Sequence, residues 1–205
     1  MIIRSLSLPN TPTLVADKNQ IVLSATGSMW SARLWAADQN PMTLPPFVID
    51  RDGTLYRLFA PNRAGEYMGI PEVDHRAIHI ALCNVGPLKP YQIRYFYPVA
   101  YDKNSMPYAD TSQPAVLPYE FCTSSAHHGF THYEYITPAQ ISTLSALLPN
   151  LLRQFNINYI FDPLTGGITP NFAKGRAGIF LACGYDGRRT DLHPQNELIN
   201  LLKSL

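Results

Sequence analysis

The sequence predicts a single α/β domain, residues 1–205, in which helices pack on a β-sheet. Short apolar runs bounded by turn residues recur along the chain, as strands require. A well-marked helix start lies at Thr137, and 46% of the 205 residues are apolar, enough to bury one core.

Ile21 to Ala25 is a short apolar run suited to a buried strand, with Thr26-Gly27-Ser28 as its turn. Ser28 can cap a helix running to about Asp38, with Trp30, Leu34 and Ala37 on one face. Phe47 to Asp50 and Thr54 to Phe59 flank Arg51-Asp52-Gly53, and Asp-Gly between two β-prone runs signals a hairpin. Ala77 to Cys83 reads as a strand whose two-residue period places His79, Ala81 and Cys83 on one face. From about 87 to 132 the chain gathers several of its 18 prolines with Tyr91, Tyr95, Tyr97, Tyr101 and Tyr108. This stretch reads as a long irregular insertion pinned by aromatics. Thr137-Pro138-Ala139-Gln140 is a capping box with proline at the first helical position. Ile141, Leu144, Leu148, Leu151, Leu152 and Phe155 follow at helical spacing, and Pro149 is a point where the helix can kink. A short strand near Ile157 to Phe161 and a helix from about Pro194 complete the expected elements.

Composition narrows the function. A formal net charge of +1 with 15% charged residues gives no electrostatic case for nucleic acid or an anionic membrane. No run is long enough to span a membrane, and the first twenty residues lack the apolar core of a secretory signal. The expectation is a chain that is cytoplasmic as synthesised, with any export by a non-Sec route. Cys83, Cys122 and Cys183 form no CxxC pair, so free, mostly buried thiols in a reducing compartment are expected.

Several segments, in order, resemble the zinc-dependent N-acetylmuramoyl-L-alanine amidases of type 2, which share a fold with peptidoglycan recognition proteins. Ile21-Val22-Leu23-Ser24-Ala25-Thr26 is similar to the family's first strand, Ile-Val-Leu-His-His-Thr. Phe47 to Gly53 reads Phe-Val-Ile-Asp-Arg-Asp-Gly, as the family hairpin does. Tyr67-Met68-Gly69 stands where the family has His-Leu-Gly, and Ile78 to Gly86 where it has Ile-Gly-Ile-Glu-Leu-Val-Asn-x-Gly. Tyr135 to Gln140, Gly167 to Pro170, Gly178-Ile179-Phe180 and Asp191 to Leu198 extend the set, which spans most of the chain from residue 21. The resemblance implies a central mixed β-sheet flanked by helices.

It also implies a chemistry: Zn²⁺ on three protein ligands with a water in the open position, and a glutamate as general base. By position the first histidine ligand falls on Ser24, the second on Ala182, the third ligand on Leu192 and the glutamate on Ala81. Only the basic position, which can steady an oxyanion, is kept, as Arg189. Hydroxyl, methyl and isobutyl groups do not replace imidazole or thiolate ligands. The chain is therefore expected to be a pseudoenzyme with no metal and no cofactor. Tyr67, His79, Asn84 and Arg189 are the candidates to line the former substrate groove. The expected ligand is a protein partner or a peptidoglycan fragment (a muropeptide), in a protein of bacterial or phage setting. The alternative is an active zinc amidase cleaving the lactyl-L-Ala amide.

Rival sites are weaker. Cys183 lies one place past the second ligand position, and a one-residue step in a strand reverses its facing. His193 stands beside the third position, where a packing or capping role suffices. Ser24 with His79, or Cys183 with a histidine, has no evident third acid to orient it. Cys122, His127, His128 and His132 match no standard structural zinc spacing. His79 is read first as filling space vacated on the Ala81 face.

Overall fold

The computed structural model describes residues 2–28, 30–91, 95–101, 107–112, 115, 121–127, 129–162, 175–185 and 192–205. In chain order the strands begin with β1 (Ile3–Ser5), β2 (Gln20–Ala25), β3 (Phe47–Ile49), β4 (Leu55–Arg57) and β5 (Ala77–Leu82). There follow β6 (Pro87–Tyr91), β7 (Tyr95–Tyr101), β8 (Pro107–Ala109), β9 (Phe121–His127), β10 (Phe130–Glu134) and β11 (Gly178–Leu181). The helices are α1 (Ala32–Asp38), α2 (Pro71–Arg76), α3 (Pro138–Gln154) and α4 (Asn196–Lys203).

Six strands form the central mixed sheet, in the order β1-β4-β3-β5-β2-β11. Only the β3–β4 hairpin is antiparallel; every other pair in this sheet is parallel. All six residues of β2 and all six of β5 are buried, as expected for parallel strands covered on both faces. Ile21, Leu23, Ile78, Ile80, Ile179 and Leu181 pack with Leu144, Leu148 and Leu151 of α3 and with Leu198 and Leu202 of α4. On the opposite face Val48, Ala81 and Cys83 pack with Ala32, Trp35 and Ala36 of α1. Beside them Val22, Ala77, Phe180 and Ala182 pack with Met68, Val73 and Tyr185.

The capping box at the start of α3 is formed on both sides. Gln140 N donates to Thr137 Oγ1 (3.1 Å), and Thr137 N donates to Gln140 Oε1 (3.0 Å). The Gln140 amide is fully buried, and Nε2 also donates to the carbonyls of Ile49 and Cys83, so the cap is anchored to β3 and to the end of β5. Pro149 lies within α3, which continues to Gln154.

Four expectations are corrected. The segment read as an irregular insertion forms a second sheet, β8-β7-β6-β10-β9, with every pair antiparallel. Its tyrosines and phenylalanines favour the pleated surface, and that preference outweighs the turn signal of the prolines. Helix α1 starts at Ala32 rather than Ser28, because Arg51 holds the preceding loop through the carbonyls of Ser28 and Trp30 (3.0 and 3.4 Å). Its buried face is Ala32, Trp35 and Ala36, whereas Trp30 and Leu34 are exposed. Residues 157–161 form no strand. Two elements were not expected: edge strand β1 and helix α2. The sequence Pro71-Glu72-Val73-Asp74, a proline followed by acids in a first turn, is the start signal that could have located α2.

Gly53 is where α3 comes closest to the hairpin. Its φ is +82°, and a Cβ there would stand 2.7 Å from the Ala139 carbonyl oxygen. Thr143 Oγ1 donates to the Gly53 carbonyl (2.6 Å), so the helix cannot back away without losing that bond. Gly53→Ala is expected to destabilise the fold by more than about 2 kcal/mol, from left-handed strain plus the clash. Urea denaturation would show it as a lowered midpoint at unchanged slope.

Candidate functional site

The register of the parallel strands brings the sequence-predicted positions together. Ser24 of β2 pairs with Ala81 of β5, and Ala81 pairs with Val48 of β3. Leu181, the last residue of β11, pairs with Leu23, so Ala182 follows beside Ser24. Val48, Ala81, Ser24 and Ala182 thus stand in one row, across three strands and the residue that follows β11, each at most 1% exposed. Three of the four positions present only methyl or isopropyl groups. The hydroxyl of Ser24 is engaged with the Tyr67 hydroxyl at 2.7 Å, so the half-buried Tyr67 closes over the row.

Next to Tyr67 lies a buried polar cluster. The His79 ring is 5.3 Å from the Tyr67 ring and tilted 55° to it. His79 Nε2 approaches Asp74 Oδ1 at 3.0 Å, with both side chains at most 3% exposed. The imidazole and the carboxylate are thus in close polar contact. The Asp74 carboxylate accepts from Met68 N (2.9 Å) and Ile70 N (3.1 Å), which fixes the segment that carries Tyr67. Lys18 Nζ donates to the Asp74 backbone carbonyl (3.0 Å). Burial lowers the Lys18 ammonium to about 8 despite the opposing attraction of Asp74. Sequence reasoning missed Asp74 and Lys18, since neither falls in a motif and their partners lie on other elements.

The candidate lining residues separate. Tyr67 and His79 are neighbours, but His79 is buried and lines no open groove. Asn84 is also buried, and its side chain serves the backbone. Nδ2 donates to the carbonyls of Glu134 (3.1 Å) and Tyr135 (3.4 Å), and Oδ1 accepts from Gly86 N (2.7 Å). It clamps the β5 turn to β10 and is not a groove residue. Leu192 packs in the core under α3 and α4, apart from the cluster that holds Ala182, so it does not plug the site. Cys183 lies in that same helix-side core. Arg189 lies outside the described residues, as do the Cys122, His127 and His128 side chains. His193 is half-buried against the Tyr133 ring at 4.9 Å, and desolvation lowers its pKa.

Ser24, Ala182 and Leu192 supply no imidazole, thiolate or carboxylate, so they do not fit a zinc ion. Among the described residues, no group of three or more histidine, cysteine, aspartate or glutamate side chains is placed to hold a metal. Among the described residues, no helix is long and apolar enough to cross a membrane.

No protein-family model and no curated protein sequence matches the chain. Solved structures do. The Staphylococcus aureus hydrolase AmiA, crystallised in complex with its ligand, aligns over 99% of this chain and 82% of its own, with a TM-score of 0.54 and 10% identity. The N-acetylmuramoyl-L-alanine amidase LysC from Clostridium intestinale URNW aligns over 98% of this chain and 95% of its own, with a TM-score of 0.47 and 16% identity. At a TM-score above 0.5, the AmiA alignment shows a shared fold.

Two outcomes test this geometry. Tyr67→Phe leaves the buried Ser24 hydroxyl without its partner and is expected to cost about 1–3 kcal/mol. Adding Ser24→Ala should recover much of that loss, and a double-mutant cycle by denaturant unfolding measures the coupling. For Lys18, the folded-state pKa lies below the ordinary lysine value of 10.5. The unfolded chain therefore binds the extra proton between about 8 and 10.5, and in that window stability rises with pH. Unfolding curves of the wild type and Lys18→Met across that window should show the wild type gaining on the variant.

Proposed function

From an amidase type 2 fold shared with AmiA, we propose that this chain is a zinc-free pseudoenzyme that acts by binding. The observation that carries this reading is the row Val48, Ala81, Ser24 and Ala182. The places assigned to two metal ligands and the general base hold a hydroxyl and two methyls, packed in register and covered by Tyr67. A water activated for attack needs a metal or a basic side chain beside it, and the row provides neither.

A peptidoglycan fragment is the first ligand class, supported by the shared fold with a ligand-bound hydrolase. With the floor closed, such a fragment engages the rim, where Tyr67 is half-buried, instead of a deep groove. A protein partner is the second class, favoured by a separate observation. Trp30 and Leu34 of the α1 segment are 50% and 61% exposed and line one shallow surface recess together.

Purified without chelator, the protein is expected to contain well under one zinc per chain by mass spectrometry and to release no stem peptide from peptidoglycan. Stoichiometric zinc with amide cleavage would establish the active amidase instead. A muropeptide titration, repeated with Trp30→Ala and Tyr67→Ala, then separates the ligand classes. Loss with Tyr67→Ala supports the fragment at the Tyr67 rim, loss with Trp30→Ala places it on the α1 surface, and absence of binding counts against the fragment.

A further inference from the structure

Both tryptophans of the chain, Trp30 and Trp35, line one recess of about 480 Å³. It opens where the chain leaves β2, with Thr26, Gly27 and Ser28 among its walls. Ser112, in the turn after β8, lines it from the second sheet. The volume falls in the range of small-molecule sites.

The walls have one sign of charge. Asp38, the last residue of α1, lines the recess, is exposed, and makes no ion pair among the described residues. None of the lining residues is basic. The last turn of α1 holds no basic residue either, so the carboxylate adds to the negative end of the helix with no cation to offset it. Asp110 Oδ1 accepts from Ser112 N (3.1 Å), which brings a second carboxylate to the Ser112 side. Arg51, whose Nη1 reaches the Trp30 carbonyl, is held by Glu134.

The aromatic part is held in place. Trp30 is half-exposed, yet its N donates to Ser28 Oγ (3.1 Å) and its carbonyl accepts from Arg51 Nη1 (3.4 Å). The indole is thus carried at the surface on a fixed backbone, while Trp35, only 8% exposed, belongs to the floor. Trp30 and Asp38 also line the adjoining shallow recess with Leu34 and Ala37, which offers apolar surface beside the charge.

We propose that this recess binds a small organic cation, an alkylated ammonium head held by the Asp38 carboxylate and the indole of Trp30. The face of an indole is negative and attracts a cation within about 6 Å of the ring. A primary ammonium is a strongly hydrated point charge, and alkyl groups on the nitrogen lower the cost of taking it out of water. An anion is repelled by Asp38, and a neutral ligand gains nothing from it. The proposal goes beyond the reading of the Ser24 row, and neither zinc content nor muropeptide binding decides it.

The test is titration of the full ¹⁵N-labelled chain with tetramethylammonium chloride, against sodium chloride at equal ionic strength. Neopentyl alcohol, whose tert-butyl head has a similar shape without the charge, is the neutral comparison. The two indole N–H signals, the only ones in the chain, report on the recess directly. Saturable shifts of those signals and of the amides of residues 26–28, 38 and 39 are expected, with the alcohol weaker by about tenfold. Asp38→Asn and Trp30→Ala, both exposed changes that leave the core intact, should each weaken binding about three- to tenfold. No saturable shift up to roughly 50 mM tetramethylammonium would overturn the proposal. So would an equal response to the alcohol or to sodium, or an unchanged affinity in either variant.

Discussion

Arg51 and Glu134 make the contact on which the site's surroundings depend. Arg51 Nε donates to Glu134 Oε1 at 2.5 Å, and Nη2 donates to Oε2 at 2.9 Å, a two-pronged pair between the β3–β4 hairpin and the end of β10. The same Nη2 reaches the Ser28 carbonyl, the Arg51 carbonyl accepts from Thr137 Oγ1 (2.7 Å), and Glu134 Oε2 accepts from Val85 N (2.5 Å). Two side chains thus join the loop after β2, the hairpin, the turn after β5 and the cap of α3. Burial opposes the guanidinium charge, but the hydrogen bond and attraction of Glu134 outweigh it and raise the pKa. Removing one partner from such a pair costs about 3–5 kcal/mol, because the remaining charge is left buried. The pair is thus a device of position as much as of stability: it sets where the chain leaving Ser24 can go.

That placement explains why the row beneath Tyr67 closes. The loop after β2 and the turn after β5 are tied through Gly27 N to the Asn84 carbonyl (3.0 Å) and Thr26 N to the Leu82 carbonyl (2.8 Å). With both strand ends fixed, Ser24, Ala81 and Ala182 stand at spacings set by the sheet, and their short side chains leave room only for a group from above. Tyr67 is that group. Asp74 holds it in place from α2, by accepting from the amides of Met68 and Ile70 on its C-terminal side.

Much of this was legible in the sequence, and the parts that were not share a cause. The hairpin at Asp52-Gly53, the capping box at Thr137 and the strand runs at Ile21 and Ala77 are local signals that depend on adjacent residues. The positions Ser24, Ala81 and Ala182 were legible through the family resemblance, whose motifs assign them, and the strand register brings them into one row. Asn84 was misassigned because its polar side chain reads as available, while its bonds run to the backbone of Glu134 and Tyr135 some fifty positions later. Leu192 was misplaced for a similar reason: position in a motif does not say which face of the sheet a side chain packs against. The second sheet was missed because proline frequency was weighed above aromatic frequency, although Pro87, Pro90 and Pro98 all sit in antiparallel pairs. Lys18 carries no local signal, and although Asp74 belongs to the start signal of α2, its hold on the Tyr67 segment and its contact with Lys18 arise only once the chain is folded.

A metal site contributes binding free energy to folding, so a scaffold that gives up its ligands must recover stability elsewhere. Keeping two imidazoles without a metal would bury polar nitrogens with nothing to satisfy them, a loss of several kcal/mol in sum. A hydroxyl and a methyl at these places avoid that cost, provided the space above them is filled, because an empty cavity is itself destabilising. Tyr67 and His79 fill it here, and each brings its own partner: Ser24 for the phenol and Asp74 for the imidazole. The side chains of Ser24, Tyr67, His79 and Asp74 are therefore interdependent. Returning a histidine at Ala182 alone would overpack a row in which Tyr67 already occupies the space, at a cost of about 1–3 kcal/mol, and would still offer a metal only one ligand. Building a metal site into this row one residue at a time therefore costs packing before any metal is gained, which is the physical reason to regard the row as a packing solution in its own right.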